Sequence, residues 1–339
     1  MSYSTVLPLT GSDWKYGDYM GINVGVGRGC AAVPDGGLLT THLDSCNILK
    51  INVSTGGVSL FTGGAAGYPS YTPRPASTTA LLFNAQYMAV SGSGTFAVIS
   101  DDNNHAVQLI NWTSPDTVTT EASTVVALAG PTNRVSGLVD GVGPSARFKY
   151  PRNIAMTRDG RAAFVCYGSN AALRRIEIPS GEVTTLFYNI NCGGMDVSAD
   201  DSKIMIFVDG RIREITDLTT PNQDPSTITS LAGGGSCPSI LCPSGSAGCF
   251  ACNDGLGTQV GFRGVYALSL TRDGQSLFIV QDGASAAIRV ITMSTGYVAT
   301  RARFPFGSTN PGMYGISVAW DMKTVFVSTP RQGHPSECV

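Results

Sequence analysis

The chain repeats itself at a fixed distance. Asp140-Gly141-Val142-Gly143, followed by Phe148, returns as Asp254-Gly255-Leu256-Gly257, followed by Phe262. Thr157-Arg158-Asp159-Gly160 returns as Thr271-Arg272-Asp273-Gly274, and Phe164-Val165 as Phe278-Ile279. Each pair lies 114 positions apart, as from 140 to 254. One shared dipeptide is chance; a constant offset across three motifs is duplication, and a repeat limits the available folds more than any other feature.

Weaker copies follow the same plan. Residues 38–51, 96–110, 164–176 and 278–291 each read as a β-rich run, a polar loop and an alternating run, the pattern of a hairpin. A further turn recurs in Ser54-Thr55-Gly56-Gly57-Val58, Pro179-Ser180-Gly181-Glu182-Val183 and Ser294-Thr295-Gly296-Tyr297-Val298. Its glycine supplies the positive φ that a hairpin turn often needs. A last strand then reads 183–186 or 228–233. One unit is therefore four short strands, and first strands begin near Ala31, Tyr87, Asn153, Met195, Val265 and Tyr314. A lone four-stranded sheet leaves two faces bare, whereas sheets packed radially about an axis cover both. The expectation is an all-β, six-bladed β-propeller with four-stranded antiparallel blades, forming a single domain over 1–339. Residues 5–11, Thr-Val-Leu-Pro-Leu-Thr-Gly, look like a fourth strand with no unit before it. They are expected to close the ring as the outer strand of the last blade.

Composition fits many tight turns: 41 Gly and 18 Pro in 339 residues. Charged residues are 14% and the net charge is −2, with no basic run longer than Arg174-Arg175, so nothing points to nucleic acid or an anionic membrane. No run of about 18 apolar residues predicts a membrane span. The N-terminal segment has no basic n-region or apolar h-region, so the chain is cytosolic or a mature secreted form. Nine cysteines favour the second, with an extracellular or cell-surface location. The sequons at Asn52 and Asn111 agree with attached glycans, although a three-residue pattern is common by chance.

The order D-G-x-G-x-x-x-x-F, strand, D-G, the Leu173-Arg174-Arg175-Ile176 or Ile288-Arg289-Val290-Ile291 strand, T-G-x-V and L-A-G resembles the NHL-repeat family of β-propellers across essentially the whole chain. The units holding 140–186 and 254–299 match well. The unit from Met195 to Gly233 shows Asp200-Asp201-Ser202 in place of the second D-G. The family's frequent V-A-D is replaced by Cys166-Tyr167 and Gln281-Asp282. The resemblance implies a propeller, and some such propellers are enzymes holding zinc on the channel axis.

The residues themselves do not assemble a reaction. His42, His105 and His334 sit at different places within their units, so repeat equivalence does not bring them together as zinc ligands, which must converge at about 2 Å. No catalytic residue, metal or cofactor is expected. No G-x-S-x-G elbow precedes a helix. Gly25-Val26-Gly27-Arg28-Gly29 reads as a loop entering the first blade rather than a phosphate cradle. Asp101-Asp102-Asn103-Asn104 could offer oxygens to Ca²⁺, but reads first as a solvated hairpin loop. Cys237, Cys242, Cys249 and Cys252 form a Cys-rich loop insertion over 234–253; two disulfides or four zinc thiolates fit the spacing, and disulfides are expected. Cys30 with Cys46, and Cys166 with Cys192, fall at blade positions that share a rim and can meet the roughly 5.5 Å Cα spacing of a disulfide. Cys338 is left over as an intermolecular or free thiol. Residues 67–79, rich in Pro, Ser and Thr, make an extended loop, a candidate O-glycosylation or contact surface. The functional expectation is a non-catalytic extracellular propeller that binds a protein partner or self-associates as a structural subunit. The alternative is a secreted propeller lyase or hydrolase.

Overall fold

The computed structural model describes residues 3–8, 20–23, 28–42, 47–63, 82–112, 124–167, 172–237, 239–241, 247–250, 252–281, 286–303 and 313–328. Its strands form an all-β propeller of antiparallel, mainly four-stranded blades. We number the sheets in chain order. Sheet I holds Cys30–Ala32, Leu38–His42, Asn47–Ile51 and Val58–Gly63. Sheet II holds Ala85–Val90, Phe96–Asp101, Ala106–Asn111 and Thr124–Ala129. Sheet III holds Pro151–Met156, Ala162–Tyr167, Ala172–Glu177 and Glu182–Tyr188, with Gly141–Val142 added outside. Sheet IV holds Cys192–Val197, Ile204–Val208, Arg211–Ile215 and Thr229–Gly233. Sheet V holds Val265–Leu270, Ser276–Gln281, Ala287–Thr292 and Tyr297–Arg303, with Gly255–Leu256 outside. Sheet VI combines Gly315–Val318 and Thr324–Ser328 with Tyr3–Pro8 and Met20–Asn23 from the other end of the chain.

The first strands touch in turn: I on II, II on III, III on IV, IV on V, V on VI and VI on I. Side chains bridge some of these junctions. Leu270 N–H donates to Asp196 Oδ2 at 2.7 Å, Val318 N–H to Ser269 Oγ at 3.1 Å, and Ala32 N–H to Ser317 Oγ at 3.0 Å. Asp196, Ser269 and Ser317 hold one register position in successive sheets; Ala31, Ala89 and Ala155 occupy it in the others. The axis is narrow because glycine lets backbones close. A Cβ at Gly29 would lie 2.6 Å from Tyr87 Cα, and one at Gly194 2.5 Å from Ala267 Cα.

The core lies between the sheets. Phe164, Leu173 and Leu186 of sheet III pack with Val197, Ile204 and Ile206 of sheet IV. Leu38 and Ile51 of sheet I pack with Phe326 of sheet VI. Neighbours cover both blade faces, so a middle strand such as Ser276–Gln281 is buried along five consecutive residues. Each such apolar side chain contributes about 1.5–3 kcal/mol on burial.

Two expectations need correction in detail. Tyr3–Pro8 is the third strand of its sheet, not the outer one: it pairs with Thr324–Ser328, from Ser4 opposite Ser328 to Pro8 opposite Thr324. Met20–Asn23 then pairs on its far side, Tyr3 opposite Asn23. The N-terminal segment thus supplies two antiparallel strands where one was expected. The Cys-rich insertion, read as a loop, carries an antiparallel ribbon of Ser239–Leu241 and Ala247–Phe250.

The repeated turns take the predicted backbone. Gly56, Gly181 and Gly296 have φ of 73°, 70° and 68°. Where sheet IV lacks the second D-G, Asp201 takes the left-handed conformation itself, at φ 60°. Its carboxylate accepts the Arg158 and Asp159 N–H groups of the neighbouring turn. A Gly-to-Asp change thus gains a contact between blades.

Candidate functional site at the axial mouth

The duplicated D-G-x-G…F motif is structural. Arg174 and Arg289, on the third strands of sheets III and V, are 0% and 1% exposed. Arg174 donates to the Val139 and Arg147 carbonyls and to Asp140 Oδ1, the last at 2.7 Å, and lies 4.8 Å from the Phe148 ring centroid. Arg289 repeats this with Asn253 O, Gly261 O, Asp254 Oδ1 and the Phe262 ring at 4.9 Å. Each aspartate also accepts the N–H and hydroxyl of a fourth-strand threonine, Thr185 or Thr300. Burial alone pushes Asp140 up. The Thr185 bonds and the Arg174 bond and charge outweigh it, so its carboxyl falls below the usual range. Asp254 falls likewise, through Thr300 and Arg289. Asp and Phe were legible as repeat marks. The arginine is one residue out of step, at 115 positions, and so does not share their offset.

The cysteines fall into three groups. Cys166 bonds Cys192, joining sheets III and IV with a Cα–Cα distance of 6.2 Å, and Cys237 bonds Cys252. Cys30 is a buried free thiol 3.9 Å from the Phe326 carbonyl, and burial pushes it up to about 12. Cys46, its expected partner, lies outside the described residues, as do Cys242 and Cys338. Cys249 belongs to the ribbon, opposite Ile240.

The other expected positions scatter. Asn52 is exposed, and its Oδ1 accepts the Ser54 and Thr55 N–H groups. Asn111 is half-buried within sheet II, opposite Phe96 and Thr124, and its sequon Thr113 lies outside the described residues. His42 ends a strand in sheet I. His105 is in sheet II's loop, its Nδ1 accepting Tyr150 N–H at 3.2 Å, and burial holds its pKa below the ordinary value. His334 and residues 67–79 lie outside the described residues. The Asp101–Asn104 loop is not solvated: Asp101, Asp102 and Asn104 are buried, and the Asp101 carboxylate accepts from Phe83 N, Asn104 Nδ2 and Gln108 Nε2. Protein donors hold the Asp101 oxygens a cation would need.

The site the sequence reading missed lies at one end of the axis. Two positions before the core of each first strand stand Arg28, Gln86, Arg152, Gly193, Tyr266 and Tyr314. Five of these, without Gln86, line a cavity of about 310 Å³ together with Tyr87, Asn153, Asn191 and Asp209. Arg28 Nη1 donates to Gln86 Oε1 at 2.9 Å, and its guanidinium carbon lies 5.3 Å from the Tyr314 ring centroid. Tyr266 and Tyr314 stack tilted at 4.8 Å, and the Tyr87 hydroxyl donates to the Tyr314 carbonyl at 3.3 Å. Burial pushes the Tyr87 phenol up, against the pull of Arg28 and Arg152. Arg152, its side chain 47% exposed, meets Asp102 at 3.6 Å through Nε. Asp102 Oδ1 is buried with no hydrogen-bond partner. Burial raises the Asp102 carboxyl to about 6, opposed by Arg152 and Arg28. The signal for this ring is a shared register across the six first strands, weaker than the turn motifs because the residue types differ.

The other end is tighter, about 100 Å³, lined by Arg158, Arg272, Trp320 and Asp196 among others. Arg272 lies 3.6 Å over the Trp320 ring and donates to Gly92 O. Burial raises the Asp196 carboxyl, opposed by Arg158.

Neither a family model nor a curated protein sequence matches the chain. Solved structures do. A putative TolB from Agrobacterium tumefaciens superposes with TM-score 0.59 at 14% identity, covering 97% of this chain and 99% of that one. A Bacteroides thetaiotaomicron protein of unknown function gives 0.57 at 15%, covering 97% and 76%. A chain of a nidogen/laminin complex gives 0.57 at 13%, covering 93% and 96%. At these identities the likeness shows the β-propeller fold and nothing finer.

Proposed function

We propose that this chain is a binding propeller of the NHL type, acting outside the cell, that holds a protein partner at the axial mouth lined by Arg28, Tyr87, Arg152, Tyr266 and Tyr314. The observation that carries the reading is that mouth: arginine and tyrosine side chains at the first strands of five sheets converge on one cavity. Such a surface is organised before binding, which lowers the cost of ordering it. Arg and Tyr are the residue types that most often carry binding energy at protein interfaces. One of the similar folds was solved in a protein complex, that of nidogen with laminin.

The finer architecture belongs to the same proposal. We read residues 1–339 as one domain of six blades closed by the N-terminal strand, with 234–253 inserted. Support comes from the circuit of first-strand contacts and the pairing of Tyr3–Pro8 with Thr324–Ser328. The disulfides Cys166–Cys192 and Cys237–Cys252 support an oxidising compartment. Glycans at Asn52 and Asn111, a second bridge within the Cys237–Cys252 cluster, and an intermolecular bond or free thiol at Cys338 complete it.

The test is site-specific photo-crosslinking. A benzophenone amino acid at Tyr266, in the mouth, is compared with one at Tyr297, 44% exposed on the fourth strand of sheet V. Both variants are exposed to the medium and surface extract of the source cells. Adducts from position 266 alone are expected. Adducts from 297 alone would move the binding surface to the blade edge and end this reading.

A further inference from the structure

The chemistry of the mouth narrows what it holds. Arg28 carries five N–H donors and gives one to Gln86, a neutral amide. Among the described residues no carboxylate hydrogen-bonds it; the Tyr314 ring beside it holds the cation without neutralising it. Arg152 does have a carboxylate neighbour, but Asp102 meets its Nε at 3.6 Å, outside hydrogen-bond range. Two guanidiniums therefore line one cavity with donors to spare, and a planar oxygen pair is what an arginine fork fits best. A doubly charged phosphate is disfavoured, because Asp209 lines the same cavity and Asp102 sits behind Arg152. The volume, about 310 Å³, suits a group of side-chain size rather than a helix face. Tyr266 and Tyr314, stacked on each other, offer an aromatic shelf for the chain that carries it.

Resting on the binding reading above, we infer that the mouth captures an acidic side chain of a partner protein, its carboxylate bound by Arg28 and Arg152 and its backbone lying over Tyr266 and Tyr314. Arg28 is then the main anion ligand and Arg152 is shared between Asp102 and the guest. Gly193, at the equivalent place in sheet IV, adds no side chain to the cavity.

The experiment uses the full chain with three probes: acetyl-Gly-Gly-Glu-Gly-Gly-amide, its Gln counterpart, and glucuronate. Binding is followed by NMR of the arginine Nε–Hε signals. The Glu peptide is expected to bind about tenfold more tightly than the Gln peptide, and Arg28→Gln and Arg152→Gln each to weaken it about fivefold or more. Arg161→Gln, at a side chain 84% exposed in a turn, leaves binding unchanged. Arg28→Lys keeps the charge without the fork and should fall between, which separates loss of the anion site from loss of folding. Equal binding of the Glu and Gln peptides would overturn the inference, as would full binding by both arginine variants. Glucuronate binding at or above the Glu peptide would transfer the site from protein to acidic sugar and equally overturn it. Crosslinks at 266 with no Glu preference would leave the binding mouth standing and remove only its acidic guest.

Discussion

A buried guanidinium must find its partners inside the protein, and Arg174 gives its two terminal nitrogens two carbonyls and one carboxylate. Arg174→Met should cost about 3 kcal/mol, because the Val139 and Arg147 carbonyls lose their donors, while Asp140, part-exposed, recovers water. Arg161→Met should stay within about 0.5 kcal/mol. Urea unfolding of the two variants measures the contrast. Asp101 and Asp102 predict a pH effect of known sign. Burial raises them to about 7 and about 6, above the roughly 3.9 of an unfolded aspartate. Their stabilising contribution is therefore complete below about pH 4 and is lost as pH rises through 6 to 7. Asp140 and Asp254, held low, work in the opposite sense and lose their contribution on acidification. Asp102→Asn should accordingly raise Tm at pH 8, with the gain gone by pH 4. A gain independent of pH would contradict the buried-carboxyl account. At this scale the sequence was legible where residues recur at a fixed spacing, as Asp140 and Asp254 do. The mouth was not, because Arg28, Arg152, Tyr266 and Tyr314 differ in type and share only a register.

Turns and strands were the most legible level, since a left-handed turn leaves few residues to choose from. Gly181 and Gly56 share the same turn and nearly the same φ, 70° and 73°. They differ in surroundings. A Cβ at 181 would lie 2.2 Å from Leu128 O, and one at 56 meets nothing within 4 Å. Gly56→Ala should cost about 1 kcal/mol, the price of a left-handed alanine, and Gly181→Ala clearly more. Thermal denaturation of the pair separates conformational strain from the clash. The Cys166–Cys192 bond spans 26 residues between neighbouring sheets. Cys166→Ser should remove about 3 kcal/mol, and reductant should lower the Tm of the parent toward that of the variant. The N-terminal hairpin was half-legible. Residues 5–10 have strand character, but the four residues Met20–Asn23 are too few to show a period.

At the scale of the whole molecule, contact between the chain's two ends is the feature with most leverage. Strands from residues 3–23 and 315–328 share one sheet, and sheet VI meets sheet I across Ala32 and Ser317. A chain beginning at residue 28 leaves Thr324–Ser328 without its neighbour, a bare edge open to other chains. Such a chain should lose its cooperative melt and sediment as oligomers, and a peptide of residues 1–23 added in trans should restore both. Unaltered melting and a monomeric boundary would show that the shared sheet is dispensable. The same pairing also sets a schedule for biosynthesis. Tyr3–Pro8 is synthesised some 316 residues ahead of Thr324–Ser328, the strand it pairs with. At about 5–20 residues per second, roughly 15–65 s pass between them. Throughout that interval the segment has Met20–Asn23 alone beside it, so its other backbone edge stays open, and slow codons anywhere between lengthen the wait.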